Sequence, residues 1–110
     1  MEKTYFCLGC TESYGYNHGM VEYDFIITDD IKDAINRAEE LSIDVVEEYY
    51  HILSDNYEDE EEEVDADTIF SDEARGECYV VNIDKDVDEL FNMVDMYSVE
   101  EFIDQYCEAV

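Results

Sequence analysis

Thirty-three Asp and Glu against five Lys and Arg leave this 110-residue chain with a formal net charge of -28, so any folded form collapses against its own repulsion. Disorder is the usual result when such charge accompanies sparse apolar surface. Here 46% of the residues are hydrophobic, with ten Tyr and five Phe, which is enough large side chains for a core. The chain therefore reads as folded, and its length suits a single domain over residues 1–110. Its acids then belong on the outward faces of the elements.

The pattern along the chain supports that reading. Residues 3–10, KTYFCLGC, are aromatic and apolar and predict a strand. SYGYNHG supplies turn residues, with His18 bonding within the turn, and MVEYDFIIT (20–28) alternates as a half-buried strand whose polar side carries Glu22 and Asp24. The two strands predict a hairpin. Thr28 or Asp29 caps the next element, in which Ile31, Ala34, Ile35, Ala38 and Leu41 recur at helical spacing. Residues 29–41 thus predict an amphipathic helix with Asp29, Asp30, Asp33, Glu39 and Glu40 toward solvent, relieved by Lys32 and Arg37.

Beyond this helix the signals weaken. Residues 43–53 fit a helix through Val46, Tyr49, Tyr50 and Leu53, or a strand through their aromatic and β-branched content. Their acids are Asp44, Glu47 and Glu48. An acidic loop follows at about 55–68, DNYEDEEEEVDADT, with Asp55, Glu58, Asp59, Glu60, Glu61, Glu62, Glu63, Asp65 and Asp67 and no basic partner one turn away. Residues 55–76 as a whole, through Asp72 and Glu73, read as a loop or a frayed helix end, with Ile69 and Phe70 as the point of re-attachment. ECYVVNI (77–83) predicts a further strand. Residues 84–96 predict a helix exposing Asp84, Asp86, Asp88, Glu89 and Asp95. A capping box of Ser98 and Glu101 opens a last helix to Ala109, with Glu100, Glu101 and Asp104 outward. The sum is an α+β fold, a small antiparallel sheet with amphipathic helices packed on one side of it.

Several classes of function find no support. The sequence contains no phosphate-binding glycine loop, dinucleotide fingerprint or nucleophile elbow, and with so many acids any carboxylate pair arises by chance, so no enzyme is expected. Cys7 and Cys10 form a C-x-x-C, but Cys78 and Cys107 are isolated and the only histidines are His18 and His51, a poor basis for zinc. Asn82, Asp84, Asp86 and Asp88 alternate as in a calcium loop, yet the glycine at loop position six and the closing glutamate are missing. No cofactor is expected. The charge repels nucleic acid and anionic membranes alike, and no stretch matches a membrane helix or a secretory leader, which points to the cytoplasm.

The charge is left as the functional feature. Its density per unit length is of the order of that on duplex DNA, about one charge per 1.7 Å. Carboxylates displayed on a folded body at that density would enter the basic DNA-binding groove of another protein and displace its substrate, with steered association. The alternative is an acidic protein-binding module for a basic host protein or a cation, without mimicry. Adaptation to high salt would also produce such a composition. Acids spread over every element favour a shaped surface over a tail.

One resemblance sharpens the reading. TYFCLGC, then SYGYNHGMVEYDF and TDDIKDAINRAEEL, resembles the first domain of ArdA-type antirestriction proteins through Leu8, Gly9, Tyr16, Asn17, His18, Gly19, Tyr23 and Asp24, followed by Asp29 to Leu41. The likeness covers the first 58 residues. It implies a third strand over Tyr49 to Ser54, and DNA mimicry directed at restriction-modification enzymes. Small acidic phage anti-CRISPR proteins, which act on Cas effectors, are similar in size and charge. The family's three-part dimeric body is longer than this chain, so monomer and homodimer both stay open.

Overall fold

The computed structural model describes residues 2–14, 20–55 and 66–110. Its centre is β1 (Lys3–Thr11), where Tyr5 to Thr11 are buried without a break. An unbroken buried run marks a strand covered on both faces, since side chains alternate between them. Two neighbours flank it, β2 (Glu22–Thr28) on one side and β3 (Ala74–Val81) on the other, both antiparallel. A short strand, β4 (Cys107–Ala109), pairs with Tyr79–Val81 and completes the order β2-β1-β3-β4. The architecture is α+β.

Each face of the sheet carries its own helical layer. On one, Phe6 and Leu8, with Phe25 and Val81, meet Leu90 and Val94 of α4 (Val87–Met96) and Phe102 of α5 (Val99–Tyr106). The rings interlock: Phe6 and Phe25 lie 4.9 Å apart, and Phe25 meets Phe91 edge-on at 5.0 Å, the geometry that ring quadrupoles favour. On the other face Tyr5 and Cys7 pack under Ala34, Ala38 and Leu41 of α1 (Ile31–Glu48). There the contact is made by smallness. Gly9 and Gly76 are cross-strand partners beneath α1, and a Cβ on Gly9 would lie 2.3 Å from the Leu41 and Ser42 backbone. A smaller cluster of Val46, Leu53 and Ile69 joins the end of α1 to α2 (Tyr50–Asp55) and α3 (Ala66–Glu73), with the Tyr50 and Phe70 rings stacked at 6.2 Å.

The structure corrects several expectations. Helices cover both faces of the sheet, not one, because β1 is apolar on both sides. The helix expected at 29–41 runs from 31 to 48, since Val45 and Val46 continue its buried row past the acids. Asp30, not Thr28 or Asp29, accepts from the Lys32 N–H as its cap, while Thr28 supports the turn by accepting from the Asp30 N–H. Tyr49 to Ser54 do not form the third strand that the resemblance implies. Tyr49 caps the end of α1 and residues 50–54 enter α2, because Leu53 turns inward onto Val46 and Ile69. Of the stretch read as a loop or a frayed helix end, Ala66–Glu73 form α3, and the strand expected at 77–83 is β3 over 74–81. The last helix ends at Tyr106, where the chain turns into β4, and Asn82 N–H donates to the Tyr106 carbonyl at 2.7 Å. The expected cap at Ser98 is present, accepting from the Glu101 N–H. The turn at 15–19, including His18, lies outside the described residues.

Candidate acidic interface

Among the described residues, most of the acids fall into two layers joined by one edge of the sheet. The first layer is α1. Asp33, Glu40, Asp44, Glu47 and Glu48 recur at spacings of three, four and seven, so they form one exposed stripe along a helix about 27 Å long. Asp29 and Asp30 are exposed at its start. Glu39 is exposed on a separate row beside Ile35 and Ile43. The second layer is α4 and α5, which expose Asp88, Glu89, Asp95, Glu100, Glu101 and Asp104, with Asp84 and Asp86 on the approach.

β2 joins the layers because it is the edge strand and its side chains alternate. Tyr23 points to the α4 side and donates to the Asp95 carboxylate at 3.1 Å. Burial, with this hydrogen bond, holds the Tyr23 phenol above its ordinary pKa. Glu22 and Asp24 point to the α1 side. Asp24 accepts from Arg37 at 2.9 Å, and Arg37 also reaches Glu40 at 3.1 Å, so the one cation within the stripe is shared by two acids. Glu22 feels Arg37 only as the weakest of the influences on it. Partial burial raises its carboxyl above the ordinary range, and the charges of Asp44 and Glu48 and a hydrogen bond with Glu48 push the same way. Glu22 thus lies close enough to the stripe to feel two of its carboxylates.

Elsewhere the cations are similarly occupied. Arg75 binds Glu77 at 2.6 Å and Glu12 at 3.5 Å, and Lys85 lies 3.7 Å from Glu89. Three of the five basic side chains are therefore committed to intramolecular pairs.

Not every acid expected at the interface is placed there. Glu73 is a correction: only 3% exposed, it accepts from the Ser13 N–H at 3.0 Å and from the Ser13 hydroxyl, tying the end of α3 to the end of β1. An acid inside an acidic stretch reads as surface, and its partner is 60 residues away. Asp67 and Asp72 are exposed on α3, and Asp55 closes α2. Glu58, Asp59, Glu60, Glu61, Glu62, Glu63 and Asp65 lie outside the described residues.

Cys7 and Cys10 are buried in the core, and Cys78 and Cys107 are half-buried against it. Cys7 and Cys78 are cross-strand partners, and Cys7 donates to the Ala34 carbonyl at 3.3 Å. Burial pushes the thiols of Cys7 and Cys107 up to about 12 and that of Cys10 to about 11, so little reactive thiolate forms near neutrality. Among the described residues no group of three or more His, Cys, Asp or Glu is arranged to hold a metal ion, and no helix is long and apolar enough to cross a membrane. The chain matches no protein-family model, and comparison with curated proteins and with solved structures likewise finds no match.

Proposed function

We propose that this protein is a DNA-mimicking inhibitor that occupies the basic DNA-binding groove of a host-defence nuclease, a restriction-modification enzyme or a Cas effector. The observation that carries this reading is the match between charge and length. At the linear density of duplex DNA, 28 net charges correspond to roughly 48 Å of helix. The molecule measures 52 × 28 × 20 Å, and its 15.2 Å radius of gyration exceeds the roughly 13 Å of a compact chain this long. Seven of the 33 acids lie in 56–65, so the described residues hold 26 acids and five bases, a net -21. That charge alone corresponds to roughly 36 Å of duplex. An elongated body with acidic helices on both faces of the sheet offers a DNA groove charge in rows, whereas an acidic tail would offer it without shape.

The physics sets the expected behaviour. Lys and Arg in a groove that has evolved for phosphate release condensed ions when DNA binds and gain less when a protein carboxylate replaces it, so charge spacing and rigidity have to compensate. Association is fast and strongly dependent on salt. The test is displacement of labelled DNA from a type I restriction enzyme, and separately from a panel of Cas effectors, across a salt series. Displacement that weakens steeply as salt rises is the expected result with the cognate enzyme. Absence of displacement from every enzyme at low salt overturns the reading and leaves an acidic module for some other basic protein. Neutralising Glu60 to Glu63 together weakens a distributed mimic modestly and abolishes a binder that depends on that run.

A further inference from the structure

A groove of about 850 Å³ runs between α1 and α3, with Gly76 and Cys78 of β3 on its floor. Although α1 packs across both β1 and β3, it leaves Gly76 exposed and Cys78 half-buried on the side toward α3. One wall is a single row of α1: Ile35, Glu39 and Ile43, each one turn from the next. Ile35 and Ile43 are 42% and 48% exposed, although the rest of the solvent side of α1 is polar. Phe70 and Asp67 of α3 form the opposite wall. Both walls therefore combine apolar side chains with an acid. No ion pair joins Glu39 or Asp67 to a cation among the described residues.

We propose that this groove anchors an amphipathic, cationic helical segment of the partner protein, its apolar side chains seated between Ile35, Ile43 and Phe70 and its Lys or Arg meeting Glu39 and Asp67. This deepens the reading of the acidic surface as a site for a basic protein, and rests on it. Charge complementarity selects the occupant. A second copy would bring another strongly negative surface against Glu39 and Asp67, and an anionic lipid surface would be repelled in the same way. The two isoleucines are eight residues apart, about 12 Å along α1, which spans two turns of a helix laid beside it. Carboxylates alone attract any polycation, and apolar anchors are what confine recognition to one segment.

The test uses the full chain and two synthetic helical peptides of equal positive charge. One carries Leu at one-turn spacing opposite its Lys, and in the other each Leu is replaced by Ser. The Leu peptide is expected to shift the NMR methyl signals of Ile35 and Ile43 and to bind at least about tenfold more tightly than the Ser peptide. The double variant Ile35→Ser/Ile43→Ser is expected to erase that difference while still binding both peptides weakly. Equal affinity of the two peptides, or unmoved Ile35 and Ile43 signals, overturns the groove and leaves DNA mimicry standing. Self-association in sedimentation that the double variant abolishes also overturns it, in favour of a second copy. DNA displacement by the double variant separates the two readings. With the groove correct, displacement is weakened; with displacement absent even from the unaltered protein, the mimicry itself fails.

Discussion

The two faces of the sheet are held by opposite means. The face under α4 and α5 is filled with rings: Phe6, Phe25, Phe91 and Phe102 occupy the volume between strand and helix. On the α1 face volume has been removed, with Gly9 and Gly76 below the helix and Ala34 and Ala38 on it. Filling sets a helix at a distance, whereas removal lets it settle onto the backbone. The second arrangement underlies the acidic surface that is linked across two elements. There Asp24, Arg37 and Glu40 form one network across β2 and α1. Close packing of small residues thus produces electrostatic crowding above it.

If the ring-filled face depends on volume, Phe6→Ala leaves a cavity among three aromatic neighbours and is expected to cost about 3–5 kcal/mol, read as a lower urea midpoint at unchanged slope. On the other face the dangerous change is an addition. Gly9→Ala places a methyl 2.3 Å from the Leu41 and Ser42 backbone, so α1 has to lift, and the cost is expected near the top of the roughly 1–3 kcal/mol range for overpacking. Gly76→Ala, whose nearest approach is 2.9 Å to the Ala38 backbone, is expected to cost less than Gly9→Ala. A neutral Gly9→Ala would show that α1 does not rest on the sheet there, and the contrast between the faces would be lost.

How much of this was legible in the sequence follows from the range of the interactions. The hairpin strands, α1 and the start of α5 were readable, because caps and apolar periods are local signals. The unbroken apolar run of β1 also carried the two-sided burial, although its composition alone reads simply as a strand. Helix or strand at 49–54 was decided by Leu53 meeting Ile69 across the intervening chain, which no local window contains. Cys107 to Ala109 become a strand only because β3 offers an edge, and neither Gly nor Pro marks the change. For the site, the acidic faces were legible and the exceptions were not: Glu73 is buried and bonded to a distant serine, and Ile35, which fits the apolar row of α1, is 42% exposed at the groove.

The electrostatic side of the contrast is open to smaller changes. Arg37 is the cation that α1 and β2 share, and Arg37→Gln leaves Asp24 and Glu40 unpaired within the stripe. Both sides of each pair are substantially exposed, so the loss is expected below about 1 kcal/mol and to shrink as salt is added. The equivalent removal of Lys85, beside Glu89 at the opposite layer, is expected to matter less, since its 3.7 Å pair has both members more than half exposed. Equal effects at the two sites would mean that α1 is no more crowded than α4.

The smallest effect is the most specific to that crowding. Glu22 has its carboxyl raised from 4.5 by burial and then by Asp44 and Glu48, so the folded protein holds that proton to higher pH than the unfolded chain does. The folded state binds the extra proton between the unfolded and the folded pKa, and stability therefore falls as pH rises from 4.5 through the raised value, then levels off. Glu22→Gln keeps the shape of the protonated side chain and removes the titration. Its urea midpoint is expected to exceed that of the unaltered protein at pH 7 and to converge with it as pH falls below 4.5. Glu100→Gln on α5 is the control, because it removes one charge from an exposed site in the other layer. If the Glu22→Gln and Glu100→Gln profiles run parallel, repulsion is a property of the whole molecule. Divergence just above pH 4.5 assigns it to the place where β2 and α1 are pressed together.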